Sequence, residues 1–229
     1  MLRIVLKIGG HLVFHKDKID TETLSAIAAT IEESYDGDRW VVVVGGGGVA
    51  RNYVKAAREL GIDETTCDSI AVYVTRVNAY LLSSLLNDKA IQKIPTTLEE
   101  LKTLTSTANG KIIVTGGMQP GQSTIAVSAL AASTIKAERI IIATDVEGIY
   151  TEDPKKNPKA KLLQKITYQQ LEELLNKIPQ KAGEYQIIDT VGLTMIKRTK
   201  TPIYYVNGRN QEILKQAIQG VKAGTIVTP

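Results

Sequence analysis

The chain has 229 residues, enough for one sizeable domain or two closely packed halves, with a core that needs no covalent staple. Lysine and arginine number 28 against 24 acidic residues; this net charge of +4 is too mild and too evenly spread to mark a nucleic-acid surface, although it suits a small anionic ligand. A lone cysteine, Cys67, excludes an internal disulfide framework and a Cys/His zinc pattern and favours a reducing cytoplasmic compartment, while no apolar stretch is long enough for a membrane span or, with Lys7 interrupting the N-terminus, for a signal peptide.

In chain order, the apolar run Leu2 to Leu6 reads as a strand, and Leu24, Ile27, Ala28 and Ile31 repeat at helical spacing after it. Trp40 to Val44 is a second strand, followed by four glycines and a helix carrying Val49, Tyr53, Ala56, Ala57 and Leu60 that Gly61 stops. A longer helix places Ile70, Val74, Val77, Leu81 and Leu85 on one stripe. Burial in the chain's own core is the stronger expectation for it and for Leu24 to Ile31, subunit contact the weaker. Capping boxes pair Thr97 with Glu100 and Thr167 with Gln170, and further strands fall at Lys111 to Val114, Arg139 to Ala143 and Pro202 to Val206. The lysine-rich stretch "TEDPKKNPKAK" reads as an exposed loop or hairpin connection. Such alternation predicts βαβ units and a mainly parallel sheet.

Every strand-to-helix junction of a parallel sheet aims backbone N–H groups at the same edge, which makes that edge an anion site. The turn Gly45 to Gly48 fails the Walker pattern because Ala50 and Arg51 stand where glycine and lysine are required. It nominally fits G-x-G-x-x-A, yet it follows the second strand rather than the first, and the acidic residue at the right distance, Asp68, opens a helix instead of closing a strand. A dinucleotide fold is therefore disfavoured. The first strand ends in "LKIGG", with Lys7 at its terminus and Gly9 and Gly10 in the turn. The third ends in "VTGGMQPGQST", whose Gly116, Gly117 and Gly121 expose amides and whose Ser123 and Thr124 begin a helix. The fourth ends in "ATDVEGIYTEDP". Several glycine-bearing turns on one edge imply one or two ligands carrying several phosphates.

Taken in order, "LKIGG", "VVGGGGVARNYVKAARELG", "TRVNAYLL", "TGGMQPGQST", "ATDVEGIYTEDP", "IIDTVGLTMIKR" and the terminal "GTIV" resemble the amino acid kinase family across essentially the whole chain, and most of all its archaeal-type, UMP-phosphorylating branch. The resemblance implies a three-layer α/β/α sandwich around a mainly parallel sheet. Residues 1–229 would form a single domain, about 1–135 binding the acceptor and 136–229 binding ATP. It also implies transfer of the γ-phosphoryl of ATP to UMP with Mg²⁺, and a homo-hexamer built as a trimer of dimers. Nucleic acid and membrane are not expected partners.

The same resemblance assigns residues. Lys7 would neutralise the transferring phosphoryl, with Gly9, Gly10 and Gly47 giving amides near the ATP phosphates, Gly46 facing the acceptor phosphate, and His11 and Arg51 close to the phosphates. Asp68 would accept hydrogen bonds from the UMP ribose, and Thr115, Gly116, Gly117, Met118, Gln119, Pro120, Gly121, Gln122, Ser123 and Thr124 would wrap the UMP. Thr144, Val146, Gly148, Tyr150 and Asp153 would hold the adenosine side. Asp189 either organises Lys7 or simply caps the helix that follows; Lys197 and Arg198 read as a solvated face. Mg²⁺ would be held chiefly by phosphates and water rather than by a protein cage. His11, Glu147 and Ile125 depart from the usual family residues. Kinases of isopentenyl phosphate, carbamate, acetylglutamate or aspartate, and a non-catalytic oxyanion binder, are the competing readings. Retention of Lys7 argues against the last.

Overall fold

The computed structural model describes residues 2–15, 18–177 and 187–229. Along the chain these form β1 (Ile4–Ile8), α1 (Gly10–Val13), a small hairpin of β2 (Phe14–His15) and β3 (Lys18–Ile19), α2 (Thr21–Ser34), β4 (Trp40–Val44), α3 (Gly47–Glu59) and α4 (Glu64–Leu85). There follow β5 (Ala90–Ile91), α5 (Leu98–Thr107), β6 (Ile112–Thr115), α6 (Thr124–Ile135), β7 (Arg139–Thr144), β8 (Lys165–Thr167) and α7 (Tyr168–Lys177). The chain closes with α8 (Thr190–Thr199), β9 (Ile203–Asn207), α9 (Gln211–Gln219) and β10 (Thr225–Thr228).

One eight-stranded sheet has the order β5-β6-β4-β1-β7-β9-β10-β8, so β1 sits near its middle between β4 and β7. The six strands from β5 to β9 are mutually parallel, while β10 runs antiparallel to β9 and pairs in parallel with β8. Strands paired on both sides and covered on both faces need apolar residues throughout, which is why β4 reads WVVVV and is buried at every position.

The alternation of side chains along each strand divides the core in two. Ile4, Leu6 and Ile8 of β1 pack with Val42, Val44 and the inner faces of α2, α4 and α9. Val5, Val41, Val43, Ile140 and Ile142 pack on the opposite face with α5, α6, α7 and α8. The result is helices, sheet, helices, as expected. By the same alternation Lys7 leaves β1 on the side of Val5, toward α6 and α8.

Three expectations need correcting. Strand β1 lies two residues later than Leu2 to Leu6, because its backbone keeps pairing with β4 and β7 through Lys7 and Ile8 whatever the side-chain charge. Asp68 does not open α4: Asp63 is the N-cap, accepting from the Thr66 amide at 3.0 Å, and Asp68 lies in the helix beyond it. The stripe on α4 does not enter the core. Val77 is 68% exposed, and Leu81, Leu85, Tyr73 and Tyr80 are also exposed, along with Tyr53 and Leu60 of the α3 segment. The face of α4 turned inward carries Cys67, Val72, Thr75, Asn78, Ala79 and Leu82. Leu24, Ile27, Ala28 and Ile31 of α2 are buried.

Candidate active site

The parallel strands β1, β4, β6, β7 and β9 end at one edge of the sheet, and the turns after them collect there. The cleft at this edge has a volume of about 570 Å³. Lys7, His11, Arg51, Ser123, Thr124, Thr144, Val146, Gly148, Asp153 and Asp189 all line it, together with Ile125, Ile142, Asp145, Ile149, Lys155, Ile187, Ile188 and Tyr205.

Lys7 is half-buried and held in register with Val43 on one side and Ile142 on the other. Burial lowers its ammonium from the ordinary 10.5 to about 8, with the Asp189 carboxylate pulling in the opposite direction. Asp189 also caps α8, accepting from the Gly192 amide at 2.8 Å. The two roles considered for Asp189 are therefore compatible: one oxygen fixes the helix start while the charge faces Lys7. His11 has its pKa lowered, first by burial and then by the cations Lys7, Arg51 and Lys155, against the raising effect of Asp145. A neutral imidazole at pH 7 is a hydrogen-bonding group here and not a fourth cation.

The glycine turns after β1 and β4 touch backbone to backbone. A Cβ on Gly10 would lie 2.0 Å from the amide nitrogen of Gly47, and one on Gly47, where φ is +67°, would lie 2.4 Å from the Gly10 carbonyl oxygen. Gly9 donates to the Ala143 carbonyl at 2.8 Å and Gly45 to the Ile8 carbonyl at 3.0 Å, tying both turns to the sheet. From below, the Asn78 amide of α4 donates to the carbonyls of Gly45 at 2.8 Å and Gly46 at 3.4 Å. Arg209 clamps the first turn from the far side, donating to the His11 carbonyl as well as to Asp20 and Thr23. Gly9, Gly10, Gly46 and Gly47 thus form the backbone behind the cleft rather than its side-chain lining.

The loop after β6 is fastened to the same helix. The Thr75 hydroxyl accepts from the Gly117 amide at 2.6 Å, Arg76 donates to the carbonyls of Gly117 and Met118, and Asp68 accepts from the Gly121 amide at 2.9 Å. Asp68, Met118, Gln119, Pro120, Gly121 and Gln122 therefore form one group with α4 that adjoins the cleft through Ser123 and Thr124. Thr115, Gly116 and Gly117 are buried at its root, and the Thr115 hydroxyl donates to the Pro95 carbonyl. Ser123 caps α6 through the Ala126 amide, so this helix also points its N-terminus at the cleft.

On the other side of the cleft, Glu147 accepts from the Asn207 amide at 2.7 Å, a bridge that steadies the turn after β7. Gly148 packs on Thr225, and Tyr150 bridges to Leu162 outside the cleft lining. Two charged residues here escaped sequence reasoning. Asp145 follows β7 directly, and the Lys155 ammonium donates to its carboxylate at 2.7 Å. The signal for Asp145 was its place at a strand end; Lys155 was hidden in a lysine-rich loop. Lys197 and Arg198 lie outside the cleft, Lys197 pairing with Glu172.

The family model for the amino acid kinase family matches residues 2–207. The chain belongs to the amino acid kinase family. A uridylate kinase of Methanobrevibacter smithii is 40% identical over 226 residues, covering 99% of both chains, and one of Sulfurisphaera tokodaii is 36% identical over 230 residues, covering all of both. Among solved structures, uridylate kinase from Archaeoglobus fulgidus superposes with a TM-score of 0.86 at 36% identity, covering 99% of this chain and 100% of that one. UMP kinase from Ureaplasma parvum, at 23% identity and a TM-score of 0.82, shares the fold.

The strand-end lysine gives a direct test. With its folded pKa near 8 below the unfolded value near 10.5, Lys7 leaves the folded protein holding fewer protons between those limits. Its contribution to stability therefore rises with pH across that window. Urea midpoints measured from about pH 7.5 to about pH 10 should show the wild type gaining on Lys7→Met as pH increases. Parallel curves would mean that the lysine titrates normally.

Proposed function

We propose that the protein is a UMP kinase, transferring the γ-phosphoryl of ATP to UMP to give UDP and ADP in pyrimidine nucleotide biosynthesis. The observation that carries this reading is the pair of glycine turns in backbone contact at the ends of β1 and β4, next to a cleft lined by Lys7, His11 and Arg51. The full-length similarity to proteins named uridylate kinase supports the choice of acceptor.

In this reading Lys7, Gly9, Gly10 and Gly47 hold the β- and γ-phosphates, with Arg51 and His11 beside them. Gly46, Asp68 and the loop from Thr115 to Thr124 receive UMP; Thr144, Val146, Gly148, Tyr150 and Asp153 hold the adenosine. UMP is thus received by residues before about 135 and the adenosine by residues after 136, while the ATP phosphates reach across to Lys7 and the first two glycine turns. The phosphate of UMP, with a second pKa near 6, is largely dianionic at neutral pH and needs no base to attack. Positioning and charge neutralisation carry the transfer. Lys7 remains mostly protonated at pH 7, and the negative charge of two bound nucleotides stabilises that form further.

Mg²⁺ bound with the nucleotide supplies additional neutralisation of the phosphates. Among the described residues no group of three or more His, Cys, Asp or Glu side chains comes together as a cage, while three separate carboxylates, Asp145, Asp153 and Asp189, line the cleft. Such a donor set fits an ion that arrives on the phosphates and keeps its waters. The nucleotide substrates and the buried thiol of Cys67 favour a cytoplasmic location.

We also propose a homo-hexamer, a trimer of dimers. The exposed apolar face of α4 with the neighbouring α3 segment supports self-association, because a run of tyrosine, valine and leucine at helical spacing is costly to leave in water. Light scattering should give a hexamer, and Val77→Asp with Leu81→Asp should yield smaller species of unchanged helix content. A wild-type monomer would refute the assembly.

Activity is tested by incubating the protein with ATP, Mg²⁺ and, separately, UMP, CMP, isopentenyl phosphate and acetylglutamate, and measuring ADP. UMP should turn over fastest. Lys7→Ala should lower kcat by about 100-fold or more while changing the Kd for UMP only slightly. Turnover of another acceptor but not UMP would overturn the assignment.

A further inference from the structure

The loop between β7 and β8 carries Lys155 to the opposite lip of the cleft. Its backbone is set by Asp153, whose carboxylate accepts from the Lys155 amide at 2.9 Å and whose carbonyl accepts from the amides of Lys156 and Asn157. This tight turn projects the Lys155 side chain back over the cleft, where its ammonium lies 2.7 Å from Asp145 Oδ2. The other oxygen of Asp145 is 4.0 Å from His11 Nε2, directly after the glycine turn of β1. The lysine head group is therefore one carboxylate away from the turn that binds phosphate in the proposed reaction. Its side chain remains 65% exposed, so it is free to swing.

Asp145 is the carboxylate that pairs with this ammonium. A triphosphate in the cleft offers several oxyanions with more charge than a single carboxylate, and an ammonium on a flexible stem follows the larger charge. We propose that Lys155 is a donor-binding residue that exchanges its Asp145 partner for the phosphate tail of ATP when the nucleotide enters. Asp145 is then the intramolecular competitor for the Lys155 ammonium. This rests on ATP being the donor, and it adds to the strand-end lysine a second ammonium approaching the phosphates from the donor-side loop.

The test is a double-mutant cycle on the binding of a non-hydrolysable ATP analogue and, separately, of UMP, each measured by calorimetry. Lys155→Met should weaken the analogue about three- to tenfold and leave UMP nearly unchanged, with Lys155→Arg retaining most of the affinity. In the Asp145→Asn background Lys155 has lost its competitor, so the analogue should bind more tightly than to wild type, and Lys155→Met should cost at least as much as before. If Lys155→Met costs nothing in that background, the lysine merely neutralises Asp145 and the proposal fails. It fails equally if Lys155→Met leaves analogue binding unchanged in the wild type. Either failure with UMP phosphorylation intact leaves the kinase reading standing, whereas a wild type that binds the analogue but does not phosphorylate UMP would overturn that reading instead.

Discussion

The structure depends on a contact that contains no side chain: the backbone of the Gly10 turn rests on the backbone of the Gly47 turn. No residue with a Cβ fits at either position without moving the other strand end, since the added atom would fall within 2.4 Å of main-chain atoms. Adjacent strands β1 and β4 would ordinarily be followed by turns kept apart by their side chains. Removing those side chains lets the two turns meet backbone to backbone at the strand ends. Helix α4 holds this arrangement from below. Asn78, Thr75, Arg76 and Asp68, spaced along α4, fasten the β4 turn and the β6 loop to a single rigid element.

Lys7 acquires its properties from this frame. A lysine at the end of an exposed strand would be an ordinary solvated cation. Here β1 is paired on both sides, and alternation turns Lys7 toward the starts of α6 and α8, where burial lowers its pKa and Asp189 limits the fall. An ammonium whose charge is disfavoured by burial gains from further negative charge beside it. Because helix N-termini and Arg51 surround it, the local field favours a ligand with high negative charge.

Much of this was legible in the sequence for a simple reason: fully buried parallel strands must be continuous apolar runs, and the turns after them must be short and special. Trp40 to Val44 is found at the expected residues, and the capping boxes at Thr97 and Thr167 form, the first with the Glu100 carboxylate reaching the Thr96 amide instead of that of Thr97. Strands β5, β8 and the hairpin β2–β3, two or three residues each, are too short to show a period. Periodicity also cannot say which way an apolar stripe faces. On α4 the core takes the side of Val72, Thr75, Asn78, Ala79 and Leu82, because close approach to the glycine turns requires small residues and hydrogen bonds there, and the stripe of Val77, Leu81 and Leu85 is left outside. Asp145 and Lys155 are ten residues apart with no spacing rule, and only the fold of the intervening loop makes them neighbours.

In the proposed reaction two phosphate sites meet at Lys7, one served by each glycine turn. A uridine–adenosine oligophosphate that spans both sites tests it directly, with the Lys7 side-chain resonance followed by NMR through a pH titration. One molecule should bind per chain and raise the Lys7 pKa well above its free value of about 8. Binding that leaves the Lys7 titration where it was would contradict the account.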